Sequence, residues 1–222
     1  MTETLQKTLA YTFSEPSLLA RALTHSSAQS KGEDNERLEF LGDRVLGLAI
    51  ADLLYDAFPE EEEGSLAKRH TGLVQQATLV QIAQGLDLAS HLKLSAGEMK
   101  SGGQQKEKII ADALEALIGA IYLDSGYAAA FVFVERHWRK ILQQQTDPPE
   151  DAKSKLQEWA QGRALPLPLY TLTQKSGVDH APIFEVEVSV QGVGATTASA
   201  ASKRAAEKQA AVLMLQKIGI KL

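Results

Sequence analysis

The strongest constraint in this chain is a helix with no wet side. From Arg37 to Ala57 the sequence lacks proline, and Leu38, Leu41, Val45, Leu46, Leu48, Ile50 and Leu53 spread around the wheel at about 100° per residue. Such a helix is predicted to be largely buried inside a helical core. Yet Glu36, Glu39 and Asp43 fall within about 60° of one another, on a single stripe. A second helix, predicted over Glu107–Leu123, repeats the pattern. Between Ile109 and Leu123 its charged residues are Asp112 and Glu115, at i and i+3 on one face.

Carboxylates on buried faces are costly unless something answers their charge. Little relief is expected from within the helices, since Arg37 and Arg44 project away from the acidic stripe. Two like charges roughly 4 Å apart repel by about 4 kcal/mol at an effective dielectric near 20. If the two stripes face each other, protonation or a bound cation must relieve that repulsion. An all-oxygen donor set is the kind that hard cations such as Mg²⁺ or Mn²⁺ prefer. Taken one helix at a time, a capped or exposed helix face explains either stripe equally well. A di-iron carboxylate bundle would also pair acidic helices, but it needs an acid three residues before a histidine. None of His25, His70, His91, His137 and His180 has one, and the absence of cysteine removes thiolate sites and Cys nucleophiles.

The chain changes character near QQQTDPPED, a polar stretch at 143–151 broken by Pro148 and Pro149. Residues 1–146 carry 14 basic and 20 acidic side chains, a net −6, whereas residues 152–222 carry 9 and 5, a net +4. That asymmetry predicts two modules with different partners: a first at 1–146, a linker at 147–151 and a second at 152–222. The first reads as all-α, with helices over Arg37–Ala57, a pair within Ser65–Leu86, Glu107–Leu123 and Ala128–Leu142. Ser65 is read as an N-cap and Thr78 as the restart after Gln75 and Gln76. The second reads as a small α-β-β-β-α module: a helix over Lys153–Gly162, an extended PLPLYTLTQ, then IFEVEVSV at 183–190. In that last stretch Phe184, Val186 and Val188 alternate with Glu185, Glu187 and Ser189, the mark of a half-buried strand. VGATTA supplies a third strand, and Ser199–Lys217 an Ala-rich helix. Uninterrupted apolar runs, such as Ala128–Val134, fall well short of the roughly 20 residues a membrane span needs, and the start lacks the charge and apolar pattern of a signal peptide. These features predict a soluble, cytoplasmic protein with no membrane partner.

The residues NERLEFLGD at 35–43, GEMKSGG at 97–103 and EALIGAIYLDSG at 115–126 occur in that order, and together they resemble the signature blocks of the bacterial ribonuclease III family. The C-terminal module resembles the double-stranded RNA-binding domain that follows the nuclease domain in that family, so the resemblance covers essentially the whole chain. It implies an all-α endonuclease domain plus a small α+β domain, a homodimer with two active sites, and Mg²⁺ (with Mn²⁺ able to substitute) as cofactor. It further implies staggered cuts in double-stranded RNA leaving short 3′ overhangs, 5′-phosphates and 3′-hydroxyls, in the processing of ribosomal RNA precursors and some messenger RNAs.

Carried over residue by residue, the resemblance implies Glu39, Asp43, Asp112 and Glu115 as metal ligands, with Asp43 and Glu115 catalytic. Glu36 and Glu63 take supporting acidic roles, although Glu63 also closes the run Glu60–Glu63, which reads equally as a solvated loop. Phe40 matches an aromatic of the family's dimer contact, or else an ordinary core residue. The RNA-binding set is Gln157 and Glu158 on the first helix of the second module, His180 in its first loop, and Lys203, Arg204 and Lys208 on its last helix. Two departures stand out. Alanines in GATTASAASKR replace a turn that is often Gly- and Lys-bearing, and Glu207 sits where eukaryotic relatives often have Lys. Both predict a modest contribution of this module to RNA affinity. The rival reading is a non-catalytic double-stranded RNA-binding regulator with vestigial carboxylates. A small-molecule phosphohydrolase would leave the basic module unexplained, and the His-Asp dipeptide of an HD-type site is absent.

Overall fold

The computed structural model describes residues 2–28, 33–144, 151–178 and 181–220. The chain divides into two compact units, Met1–Pro149 and Glu150–Leu222, and most of the segment between the modules, including Pro148 and Pro149, lies outside the described residues.

In the first unit the elements are α1 (Thr2–Leu9), α2 (Pro16–Ala22), α3 (Glu36–Ala57), α4 (Glu63–Val74), α5 (Gln76–Gly85), α6 (Ala96–Lys100) and α7 (Glu107–Gln144), with single 3₁₀ turns at Leu88–His91 and Gly103–Gln105. Its core is built around α7, whose Ile110, Leu114, Leu117, Ile118, Ile121, Val134 and Trp138 are buried against Leu38, Leu46, Ile50 and Leu54 of α3 and Leu79 and Ala83 of α5. Trp138 is fully buried and still satisfied, because its Nε1 donates to the Leu73 carbonyl at 2.9 Å. By length and composition α7 could cross a membrane, but here it is the central core helix of this unit.

Several local features depart from the sequence expectations. The two helices expected over Glu107–Leu123 and Ala128–Leu142 are both present, but they abut end to end within α7, parted by the non-helical Gly126 at φ 77° and ψ −176°, a conformation an L side chain resists. Helix α4 begins two residues before Ser65, with Glu62 at the N-cap position, so Ser65 is helical and not the cap. The helix restart falls at Gln76, after an extended Gln75. Thr78 lies inside α5, where its hydroxyl donates back to the Gly72 carbonyl at 2.7 Å. Finally, α3 is not buried all round. Leu38, Val45, Leu46, Ile50 and Leu54 face the core, whereas Phe40, Leu48 and Tyr55 are exposed on another side. Its apolar wheel is two apolar faces back to back.

In the second unit α8 (Ala152–Gln161) and α9 (Lys203–Lys217) cover one face of an antiparallel sheet ordered β1 (Leu169–Val178), β2 (Ala181–Val190), β3 (Gly194–Ala200). Val186 pairs with Leu172 and Val188 with Tyr170, and the buried Val188 and Val190 pack with Leu156, Ala210, Ala211, Met214 and Leu215. The alternation read from 183–190 therefore describes the strand. A register shift between Leu172 and Gln174 interrupts the first ladder. The last helix starts at Lys203 rather than Ser199: Ser199 pairs with Glu185 inside β3, and Ser202 caps α9 by accepting from the Ala205 N–H at 3.2 Å. The all-α unit followed by an α-β-β-β-α unit is the fold class the sequence predicts.

Candidate metal centre and nucleic-acid face

Helices α3 and α7 cross closely because both are glycine where they meet. A Cβ added to Gly42 would run into the Glu115 carbonyl, and one added to Gly119 into the Leu38 carbonyl. That close approach places Glu39 of α3 beside Asp112 and Glu115 of α7. Each of the three half-buried carboxylates offers an oxygen, and these atoms lie within 4.8 Å of one another. Glu39 and Asp112 line a groove of about 430 Å³ together with His25, Ser26, Asn35, Glu36, Lys108 and Ile109.

The electrostatics are those of a site short of positive charge. Burial pushes the Glu115 carboxyl up to about 7, the charges of Glu39 and Asp112 push in the same direction, and Lys108 and Arg44 offset part of the shift. Burial also raises Glu39, with Asp112 and Glu36 adding to it and Lys108 opposing. One answer to the charge was not expected from sequence: Lys108, one turn before Asp112, donates through Nζ to Asp112 Oδ2 at 2.6 Å. Its amine is held above its ordinary range chiefly by that hydrogen bond. The donor set is all oxygen, half-buried and under-neutralised, so these residues fit a divalent cation.

The remaining acidic positions divide. Glu36 lines the groove, and its backbone N–H donates to Asp34 Oδ1 at 3.2 Å at the start of α3. Asp43 stands outside the group of three and pairs with the neighbouring Arg44, a cation the helical wheel directs away from the stripe. Glu63, the first residue of α4, lines a different recess with Tyr55, Leu66 and His70. Within the preceding acidic run, Glu61 is held by the buried Arg69. The guanidinium stacks over Phe58 at 3.8 Å and donates to both Glu61 oxygens, at 2.8 and 2.6 Å. Phe40 is 68% exposed, with the Arg44 guanidinium 5.5 Å from its ring centre, so it is not a core residue of this chain.

In the second unit Gln157 and Glu158 are exposed on α8, and Lys203, Arg204 and Lys208 are exposed on the first two turns of α9. The N-terminus of α9 adds its own partial positive charge beside them. His180 lies outside the described residues. Sequence reasoning overlooked Lys153, whose Nζ lies 2.5 Å from Glu207 Oε2 and 4.7 Å from the Tyr170 ring centre. Glu207 Oε1 is also 4.0 Å from Lys203 Nζ, so one carboxylate ties two cations on the basic side of this unit.

Comparison with known proteins agrees with both units. A family described as Ribonuclease-III-like matches residues 15–142, and the double-stranded RNA binding motif matches residues 152–218. Ribonuclease 3 of Nitrobacter winogradskyi is 44% identical over 221 residues, covering 98% of this chain and 83% of its own. Ribonuclease 3 of Ehrlichia ruminantium is 45% identical over 225 residues, covering 100% and 99%. Among solved structures, the nuclease domain of ribonuclease III from Campylobacter jejuni, described for flexibility in a region involved in dimer formation, aligns with a TM-score of 0.60. It is 39% identical and covers 63% of this chain and 99% of that one.

Proposed function

Because the chain belongs to the ribonuclease III family, we propose that it is an Mg²⁺-dependent endoribonuclease that cuts both strands of duplex RNA with a stagger. The observation that carries this reading is the convergence of Glu39, Asp112 and Glu115 from two helices locked together at Gly42 and Gly119. When bound, a divalent cation supplies positive charge to the phosphoryl group and the departing 3′ oxygen, and acidifies water at neutral pH. Glu39, Asp112 and Glu115 are the residues that hold it. Lys108 neutralises Asp112 in the absence of the cation and remains beside the groove as a positive charge for the RNA backbone. Asp43 is assigned a catalytic carboxylate role at the edge of this group, where departure from Arg44 frees it to orient water or accept a proton. Glu36 and Glu63 are supporting acids, Glu36 from the groove wall.

Cutting two strands takes two such sites, and a two-fold dimer supplies them at a fixed separation. The exposed apolar side of α3, with Phe40, Leu48 and Tyr55, is the surface assigned to that dimer, and the Campylobacter jejuni relative, described as having a region involved in dimer formation, supports dimerisation as such. Residues 1–146 form the nuclease domain, 147–151 the linker and 152–222 the RNA-binding domain. There Gln157, Glu158 and His180 are assigned to the minor groove of the duplex and Lys203, Arg204 and Lys208 to its phosphates. The products carry 5′-phosphates and 3′-hydroxyls, Mn²⁺ substitutes for Mg²⁺, and the substrates are structured ribosomal RNA precursors and some messenger RNAs in the cytoplasm.

The test is incubation with an end-labelled RNA duplex, the matched single strand and the matched DNA duplex, each with Mg²⁺ or EDTA. Mg²⁺-dependent cutting of the RNA duplex alone, on both strands with a fixed offset, supports the reading. Binding without cutting in both Mg²⁺ and Mn²⁺ replaces it with a regulator.

A further inference from the structure

The carboxylate groove has a wall that the metal chemistry leaves unused. His25 lines the same groove as Glu39 and Asp112, and its ring is held from behind. Its Nδ1 accepts the backbone N–H of Ser27 at 3.1 Å and lies 2.9 Å from the Ser27 hydroxyl. That hydroxyl oxygen in turn accepts the Ser95 N–H at 3.2 Å. Ser95 is itself the N-cap of α6, accepting from Glu98 N at 3.1 Å. The segment is pinned a second time where His25 N donates to the Lys93 carbonyl at 3.0 Å.

With Nδ1 accepting the Ser27 N–H, the neutral tautomer carries its ring proton on Nε2. Among the described residues Nε2 has no hydrogen-bond partner. Nearby, Asn35 also lines the groove. It is 2% exposed, and its Nδ2 is buried without a partner among the described residues. A buried donor without an acceptor is costly, and here two uncommitted donors share one groove with Glu36, Glu39 and Asp112. The cation that lines it, Lys108, is already committed to Asp112. Such a wall suits a ligand that brings anionic acceptors of its own.

Building on the nuclease reading, we infer that His25 is a substrate-contacting residue whose Nε2–H donates to a non-bridging phosphoryl oxygen of the RNA strand at the carboxylate centre. The contact needs no change in the proton count, because the proton stays on the imidazole. The Ser27–Ser95 relay presents it in one orientation before RNA arrives, so little freedom is lost on binding. Asn35 is the accompanying donor on the same wall.

Two substitutions separate this role from a structural one. His25→Asn keeps an acceptor at the place of Nδ1 and so retains the Ser27 contacts, but has no donor reaching the groove. His25→Gln places an amide N–H near the position of Nε2. In the full-length protein, single-turnover cutting of an RNA duplex in Mg²⁺ is expected to fall about ten- to a hundredfold in His25→Asn, the range for losing a hydrogen bond to a charged group. His25→Gln is expected to recover most of that loss, with both thermal midpoints near wild type. Duplex affinity in Ca²⁺ reads the same contact without cutting, and His25→Asn is expected to weaken it severalfold. Wild-type cutting and affinity in His25→Asn overturn the assignment. So do equal losses in both variants accompanied by lowered midpoints. A wild type that binds duplex but never cuts it refutes the nuclease reading instead, and the Ca²⁺ affinities still decide for or against the His25 contact.

Discussion

The surroundings of Glu115 make its charge expensive. Burial is the largest cause of its rise to about 7, and Glu39 and Asp112 add to it. A carboxyl whose folded-state value lies above its ordinary 4.5 stabilises the folded chain while protonated. Without a cation that contribution is fully present below about pH 4.5 and is lost as pH rises through 7. Cations and protons compete for the same oxygens, so stabilisation by Ca²⁺ should be larger at pH 8 than at pH 5.5. Thermal midpoints in Ca²⁺ and in EDTA at the two pH values check this, and an equal or larger Ca²⁺ increment at pH 5.5 contradicts it. The acidic positions themselves were legible in sequence, because a charge on an apolar wheel is conspicuous at helical spacing. What answers them was less so. Lys108 sits just N-terminal to the apolar stretch and was passed over, and Arg44 reaches Asp43 despite its place on the wheel. His25 had no local signal at all, since its place in the groove depends on contacts with Ser95 and Lys93, far away in sequence.

At the scale of elements, the centre depends on how closely α3 and α7 approach. Gly42→Ala gains helix propensity, yet its methyl would strike the Glu115 carbonyl backbone. Overpacking of this kind costs about 1–3 kcal/mol, and it moves Glu39 away from its partners. The variant is expected to unfold at lower denaturant and to lose most of its cutting, whereas a Gly42→Ala protein as stable and active as wild type would show that the crossing is not tight. In the second unit, Glu207 of α9 holds Lys153 of α8 and approaches Lys203, so two cations near the assigned RNA face are partly neutralised from within. Glu207→Gln should raise duplex affinity severalfold and steepen its log–log salt dependence by about one. Salt titrations of binding in Ca²⁺ read this directly, and unchanged affinity and slope would mean these lysines do not meet phosphate. Sequence located most elements where periodicity was strong. It misplaced the start of α9 because β3 is built from small residues, Gly194–Ala200, that carry neither the alternation of a strand nor a helical stripe until Ser202 caps the turn. The exposed side of α3 was hidden for the opposite reason, since an apolar residue facing a partner looks the same in sequence as one facing the core.

At the scale of the whole molecule, the net charge of −5 conceals an acidic helical unit and a basic α+β unit, and the proposal divides the work along that line. In the proposed division, the carboxylates of the first unit hold a cation, and the exposed Lys203, Arg204 and Lys208 of the second meet a polyanion. The division was visible in composition and in the polar stretch around Pro148 and Pro149, whereas of the surface proposed for the dimer the family resemblance singled out Phe40 alone, and the exposure of Leu48 and Tyr55 beside it emerged with the fold. Because cutting and much of the RNA contact are assigned to different units, one substitution should separate them. In full-length protein carrying Glu115→Gln, we would measure Mn²⁺ binding by paramagnetic resonance, duplex cutting in Mn²⁺ and duplex affinity in Ca²⁺ on the same sample. Mn²⁺ affinity is expected to fall and cutting to drop by at least about a thousandfold, the scale of losing a group central to transition-state charge, while duplex affinity stays within about threefold of wild type. Cutting at the wild-type rate with Mn²⁺ binding intact would contradict that expectation, and would remove Glu39, Asp112 and Glu115 as the centre on which cleavage depends.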